Sequence, residues 1–135
     1  MGTRTITTDT LLHDYARFWN TADLAERSRI AAGVFSEDVD YHAAVGVLIG
    51  AQALGGFRDE FVAHMGEATL MHHGEPDRLT DRVRLRWEIV LADGTSFAAG
   101  TDVLVLAGDG RISSVTAFLD RAPEGFADHH DEHDG

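Results

Sequence analysis

Hydrophobic residues recur every three to four positions through the first third of the chain, and this spacing predicts helices. The N-capping candidates Thr8 and Asp9 precede a broad apolar stripe, made of Leu11, Leu12, Tyr15, Phe18 and Trp19. Asp23, followed by Glu26 three residues later, forms a capping-box pattern and predicts the start of a second helix. That helix is predicted to cover Leu24, Arg27, Ile30 and Ala31, and Gly33 ends it.

A third helical pattern runs from Ala51 to about Met65 and interrupts the strands that fill the rest of the chain. Its apolar face carries Leu54, Phe57, Phe61 and Met65. The pair Gly55-Gly56 lies in its middle, so this helix needs tertiary support.

The remaining sequence predicts five strands. A short strand spans about residues 39–45 and is followed by a loop to Gly50, and four more strands cover about 67–78, 82–92, 96–107 and 111–120. The turns 92–94 and 108–110 are strong hairpin signals, and apolar and charged residues alternate cleanly over 83–89. Consecutive hairpins after a block of helices predict an antiparallel α+β fold with helices on one sheet face.

Composition narrows the classes of function. A chain of 135 residues predicts one domain, and the absence of cysteine excludes disulfides, thiolate catalysis and cysteine-based metal sites. All basic residues are arginine, so Schiff-base chemistry at a lysine is also excluded. The net charge of −12 argues against nucleic-acid binding, since phosphate contacts need a basic surface. With neither an apolar run of membrane-spanning length nor a signal-peptide core, we expect no membrane association and a cytoplasmic protein.

The two ends of the chain differ from its body. We expect a flexible N-terminus at residues 1–8, a folded domain at 9–121 and a disordered, acidic, histidine-rich tail at 122–135. The histidines at 129, 130 and 133 could chelate a divalent ion adventitiously, but they lack a rigid framework. We therefore expect no functional metal and no cofactor.

Four segments carry a resemblance to a known family. They are 15–23 (YARFWNTAD), 35–41 (FSEDVDY), 50–57 (GAQALGGF) and 100–120 (GTDVLVLAGDGRISSVTAFLD). In this order and spacing the chain resembles the nuclear transport factor 2-like (NTF2-like) superfamily, and within it the SnoaL-like group, which includes polyketide cyclases. The resemblance covers residues 9–120 and implies a cone-shaped α+β barrel, with three helices packed on a curved antiparallel or mixed sheet. Because this fold serves many activities, the resemblance predicts fold better than function.

The resemblance also implies a deep pocket between the concave sheet face and the helices. The expected substrate-binding residues are those whose position on each predicted helix or strand turns them toward this pocket. They are Trp19, Tyr41, Phe57, Phe61, Trp87, Leu104, Val115, Ala117 and Leu119. Such a lining suits a hydrophobic, ring-containing small molecule.

Two candidate catalytic residues come from a closer resemblance to ketosteroid isomerase. Tyr15 precedes Asn20 by five residues and Asp102 precedes Gly110 by eight, the spacings of that family's two oxyanion-hole residues. The resemblance implies that Tyr15 and Asp102 stabilise a developing oxygen charge. The first-strand position of that family's general base holds Ala43, which cannot transfer a proton.

Histidine is the natural substitute for the missing base, because its pKa near 6.5 allows proton transfer at neutral pH. His42 adjoins the lost base position, and either His72 or His73 can face the pocket from the next strand, since strand neighbours face opposite ways. We slightly favour His73.

Two functions remain open. One is a cofactor-independent cyclase, isomerase or dehydratase, which uses Tyr15 and Asp102 for oxyanion stabilisation and His42 or His73 as proton shuttle. The other is a non-catalytic ligand-binding or assembly module. In either case the outward row Arg82, Arg84, Arg86 and Glu88 predicts a homodimer through the outer sheet face.

Overall fold

The computed structural model describes residues 7–123, which form three helices and one six-stranded sheet. The helices are α1 (Thr8–Asn20), α2 (Leu24–Val34) and α3 (Ala51–Met65). The strands are β1 (Phe35–Ala43), β2 (Gly46–Ile49), β3 (Ala68–Leu79), β4 (Arg82–Leu91), β5 (Ser96–Leu106) and β6 (Ile112–Arg121). This confirms the α+β class. The expected N-terminal segment and acidic tail lie almost wholly outside the described residues.

Side-chain caps begin the first two helices. The hydroxyl of Thr7, one residue before the expected cap, accepts a hydrogen bond from the Thr10 amide at 3.1 Å, and Asp23 accepts from the Glu26 amide at 2.8 Å. Within α2 the side chains of Arg27, Ile30 and Ala31 are buried, whereas Leu24 is 67% exposed at the helix start. Between residues 7 and 123, no helix combines the length and the apolar character needed to span a bilayer.

The sheet has the strand order β2-β1-β6-β5-β4-β3. Neighbouring strands are antiparallel except β1 and β6, which run parallel. The segment 46–49, expected to be a loop, forms the edge strand β2 because Val47 and Leu48 pair with His42 and Tyr41 of β1. Over the described residues the sheet is curved but does not close into a barrel, and β2 and β3 form its edges.

The main core lies between the helices and one end of the concave sheet face. Its fully buried side chains include Tyr15, Phe18, Leu54, Leu104 and Val115. The sequence placed Leu104 and Val115 in the pocket, but the helices cover this end of the sheet and leave both residues completely buried. The other end of the concave face stays open.

Candidate functional site

The open end of the concave face forms a cavity of about 330 Å³. This is near the lower end of the size range of small-molecule sites. The structure brings several of the sequence-predicted residues together on its wall, namely Trp19, Tyr41, Phe57, Phe61, Trp87, Asp102, Ala117 and Leu119. Aromatic and aliphatic groups dominate the surface, so polar groups within it are few.

Gly100 determines where the indole of Trp87 lies. The two residues are directly opposite on β5 and β4, and a Cβ on Gly100 would lie 2.3 Å from Cζ2 of Trp87 and 2.1 Å from the Phe118 carbonyl oxygen. The missing side chain therefore lets the indole lie against β5, two residues from Asp102 on the same strand face. This places a large aromatic surface beside Asp102, whose carboxyl is the only one that residues 7–123 contribute to the cavity wall.

Asp102 is 3% exposed and joined to Tyr15 across the core. The Tyr15 hydroxyl donates to Oδ2 of Asp102 at 2.7 Å, while Oδ1 has no hydrogen-bond partner within residues 7–123. Burial raises the pKa of Asp102 to about 7, and the hydrogen bond from Tyr15 and the nearby Trp87 indole oppose the rise. Near neutral pH this carboxyl is therefore present in both protonation states.

The pairing of Tyr15 with Asp102 differs from the arrangement that the resemblance implied. Tyr15 is completely buried and directs its single O–H at Asp102, and its side chain does not line the cavity. Tyr15 and Asp102 therefore do not direct two separate hydrogen-bond donors at one ligand oxygen. Of the pair, Asp102 is the residue that lines the cavity.

Tyr41 is a second polar group on the wall. Burial, assisted by the charge of Asp102, raises the pKa of the Tyr41 hydroxyl far above its usual value. Tyr41 therefore stays protonated, and its ring packs against Trp19 with centroids 5.5 Å apart. Its hydroxyl is a hydrogen-bond donor that does not titrate near neutral pH.

The histidine expectations need correction. His73 lies on the outer sheet face, where its Nε2 is 2.8 Å from a Glu88 carboxylate oxygen. His42 is also exposed, with Nε2 3.2 Å from Asp40 Oδ1, because Tyr41 takes the inward position on β1. Neither His42 nor His73 can serve the cavity as a proton shuttle from these positions.

His72 is the inward-facing histidine of β3. Its ring stacks on Tyr15 with centroids 6.0 Å apart, and its buried Nε2 has no partner in the described part of the chain. Burial, with a smaller effect from His73, lowers the pKa of His72 to about 4. His72 is therefore neutral at pH 7 and packs behind Tyr15 without lining the cavity.

The sequence reasoning missed Arg58, a cation on the cavity wall. Its Nε donates to the Trp19 carbonyl at 2.8 Å and its Nη1 to Asp59 Oδ1 at 2.8 Å. The signal was available, since Arg58 follows Leu54 by four residues and precedes Phe61 by three, which places it on the apolar face of α3.

Ala43 also lines the cavity, so no first-strand carboxylate reaches it there. Within residues 7–123, no three histidine or acidic side chains converge on a point where they could hold a metal ion. The tail histidines lie outside the described residues.

No protein-family model matches the chain, and no curated protein sequence matches it. Solved structures do. A SnoaL-like family protein from Agrobacterium tumefaciens, named as a candidate isomerase, superposes with a TM-score of 0.76 at 27% identity, over 82% of this chain and 95% of that one.

Two further structures have the same architecture. An NTF2-like protein of unknown function from Exiguobacterium sp. 255-15 has a TM-score of 0.65 at 22% identity, over 82% of this chain and 98% of that one. A ketosteroid isomerase-like fold from Catenulispora acidiphila, solved in complex with trimethylamine, has a TM-score of 0.64 at 18% identity, over 83% and 86% of the two chains. The chain described above thus has the NTF2-like fold and is similar in structure to SnoaL-like proteins.

Proposed function

We propose that this NTF2-like protein is a cofactor-independent enzyme of the isomerase type. It would bind a compact, ring-containing ketone in the cavity and move one of its protons through Asp102. The observation that carries the proposal is the state of Asp102, a residue on the wall of an apolar cavity, with one carboxyl oxygen held by Tyr15 and the other buried and unpartnered in the described chain. A carboxyl with a pKa of about 7 is matched to proton transfer near neutral pH.

Asp102 also replaces the histidines as the proton carrier in this proposal. When the ketone carries a C=C bond, the ionised carboxylate takes a proton from the carbon between that bond and the carbonyl; the C–H electron pair forms a double bond to the carbonyl carbon, and the carbonyl π pair moves onto the oxygen to give a dienolate. Asp102, now a carboxylic acid, returns the proton to the far carbon of the original C=C bond as the electron pair leaves the oxygen, so the double bond shifts and isomerisation needs no other reactant. Tyr41, a permanent donor on the wall, suits the developing enolate oxygen.

Tyr15 has a positioning role. Its hydrogen bond to Oδ2 fixes the carboxyl orientation and favours the ionised form, which keeps the pKa of Asp102 from rising further. The pKa of Tyr15 itself is raised well above its usual value by burial and by Asp102, so it remains a donor throughout.

Ala43 favours a second candidate, a ligand-binding module without turnover. A cavity whose first-strand base position is an alanine can bind a ring compound through the same walls and leave it unchanged. The two candidates make opposite predictions for hydrogen exchange in a bound ketone.

A suitable probe is 2-tetralone, a bicyclic ketone with exchangeable protons beside its carbonyl. We expect the protein to accelerate exchange of these protons in D₂O, followed by NMR, and Asp102→Asn to abolish the acceleration. Asp120→Asn, on the outer side of the neighbouring strand, is the matched control and should exchange like the wild type. If binding is measurable by calorimetry and exchange is not accelerated, the binding-module candidate is correct.

Affinity provides a second comparison. Asp102→Asn retains a donor toward a ligand oxygen, whereas Asp102→Ala removes it and adds a small void. We expect 2-tetralone to bind Asp102→Ala more weakly than Asp102→Asn by about 1–3 kcal/mol, the range for a partner left unsatisfied. Equal weakening in both variants would show that the negative charge, and not the donor, governs binding.

A further inference from the structure

Arg58 has more hydrogen-bonding capacity than its protein contacts use. A guanidinium has five N–H groups, and the contacts to Trp19 and Asp59 engage only Nε and Nη1. No described residue accepts a hydrogen bond from Nη2. The side chain is only 11% exposed and belongs to the cavity wall, so a ligand in the cavity is well placed to accept from it.

The local charge also favours an anionic ligand. Asp59 is shared by two guanidinium groups, since Arg27 binds it through both Nη atoms at 2.9 Å and Arg58 binds one of the same oxygens. These two cations hold the pKa of Asp59 below its usual range, so the three side chains together carry one net positive charge. Arg27 is buried and has no place on the cavity wall, which leaves Arg58 as the group that can offer this charge to a ligand.

Because the rest of the cavity lining is mostly apolar, the charge of Arg58 can discriminate between ligands. A carboxylate entering such a cavity loses its hydration and binds only if a protein group replaces those hydrogen bonds. Arg58 can do so through a short, charge-assisted bond, and its single uncommitted nitrogen suits one singly charged group. Asp102 lies on the same wall and can meet a neutral oxygen elsewhere on the ligand.

We propose that the ligand of this cavity is a ring compound that carries a carboxylate, which Arg58 binds through Nη2. The proposal rests on the proposed function in that it assumes the cavity is a small-molecule site, and it adds the charge class of the ligand. Arg58 is then a specificity-determining residue that discriminates between acids and their neutral analogues.

The test compares two probes with the same ring system, 2-naphthoate and 2-acetylnaphthalene, by calorimetry at a pH of about 6, where the naphthoate is ionised. In the wild type we expect naphthoate to bind roughly 10- to 100-fold more tightly, the range for one charged hydrogen bond. Arg58→Gln should remove this preference and leave binding of acetylnaphthalene nearly unchanged. Arg29→Gln, which removes an exposed arginine of α2, is the matched control and should keep the full preference.

Arg58→Gln also loses the bond to the Trp19 carbonyl, so its thermal unfolding is measured in parallel. Arg58→Lys provides the second variant, because it keeps the charge and should retain part of the preference. A wild type that binds acetylnaphthalene as tightly as naphthoate would overturn the carboxylate inference and leave the proposed function standing. An Arg58→Gln variant that folds and still prefers naphthoate would overturn it as well, and failure of the wild type to bind either probe would overturn both proposals.

Discussion

The protonation of Asp102 should be visible in the stability of the protein as well as in its chemistry. In the unfolded chain an aspartate titrates near pH 4, whereas in the folded protein burial raises the pKa of Asp102 to about 7. Between these two values only the folded state holds the proton. The contribution of Asp102 to stability is therefore complete below the unfolded pKa and is lost as pH rises through the folded pKa.

The size of the effect follows from the two pKa values. One pH unit corresponds to about 1.4 kcal/mol, so the contribution of Asp102 to the free energy of unfolding should fall by about 4 kcal/mol in total as the pH rises from well below ~4 to well above ~7. Other carboxylates act in the opposite direction at low pH. Asp59, for example, has its pKa lowered by Arg27 and contributes stability that is lost on acidification. A difference between two variants is needed to isolate Asp102.

Asp102→Asn supplies that difference. The amide oxygen can still accept from Tyr15, but the group no longer titrates. We expect urea unfolding to show the variant gaining about 2 kcal/mol relative to the wild type between pH ~5 and pH ~7, with the curve levelling above pH ~8.

Asp38→Asn, at an exposed position of β1, is the control for loss of a surface carboxylate. A stability difference between Asp102→Asn and the wild type that stays flat from pH ~5 to pH ~8 would refute the reasoning. It would mean that the Asp102 carboxyl is hydrated in the folded protein and that the cavity is not the apolar site described above.

Three further predictions concern neighbouring features. Tyr15→Phe removes the hydrogen bond that favours ionised Asp102, so it should raise the pKa of Asp102, which carbon NMR of the carboxyl measures. The variant should also destabilise the fold by about 1–3 kcal/mol. An unchanged pKa would contradict this prediction. Gly100→Ala should lower the free energy of unfolding by at least about 1–3 kcal/mol and alter tryptophan fluorescence, because the new Cβ meets the Trp87 ring and the Phe118 carbonyl. Gly33→Ala is the control, since the space around its Cβ is open, and in the same thermal unfolding assay it should be neutral or slightly stabilising. We also propose a homodimer through the outer sheet face, where Phe118 is 55% exposed. Light scattering should give a mass of about twice 14.7 kDa for the wild type and the monomer mass for Phe118→Asp. A monomeric wild type at micromolar concentration would contradict the dimer.

The sequence predicts most of the fold because local chemistry and tertiary structure agree there. The two Asp-Gly turns join β4 to β5 and β5 to β6, and the alternation over 83–89 places Leu85 and Trp87 inward. The prediction fails at β2, since the three residues between Gly46 and Gly50 give no clear period and the strand forms only by pairing with β1.

Parts of the site depend on information that is not local. Met71, His72 and His73 do not alternate between apolar and polar, so the inward histidine cannot be chosen from β3 alone. It follows from pairing with β4, where His72 lies opposite Trp87. The direction of the Tyr15 hydroxyl is likewise set by a partner 87 residues away, so spacing can nominate the pair but cannot show which atom faces the ligand.

The parallel pairing of β1 with β6 has a consequence for how the protein acquires its cavity. It joins segments that are far apart in the chain, as the bond from Ser36 to the carbonyl of Ile112, 76 residues away, illustrates. Such distant pairings carry a large loop-closure cost and slow folding. Tyr41 and Ala117 come from these two strands and share the cavity wall, so no partly synthesised chain lacking β6 can hold the ligand. Ligand binding during refolding should therefore report the last step of assembly.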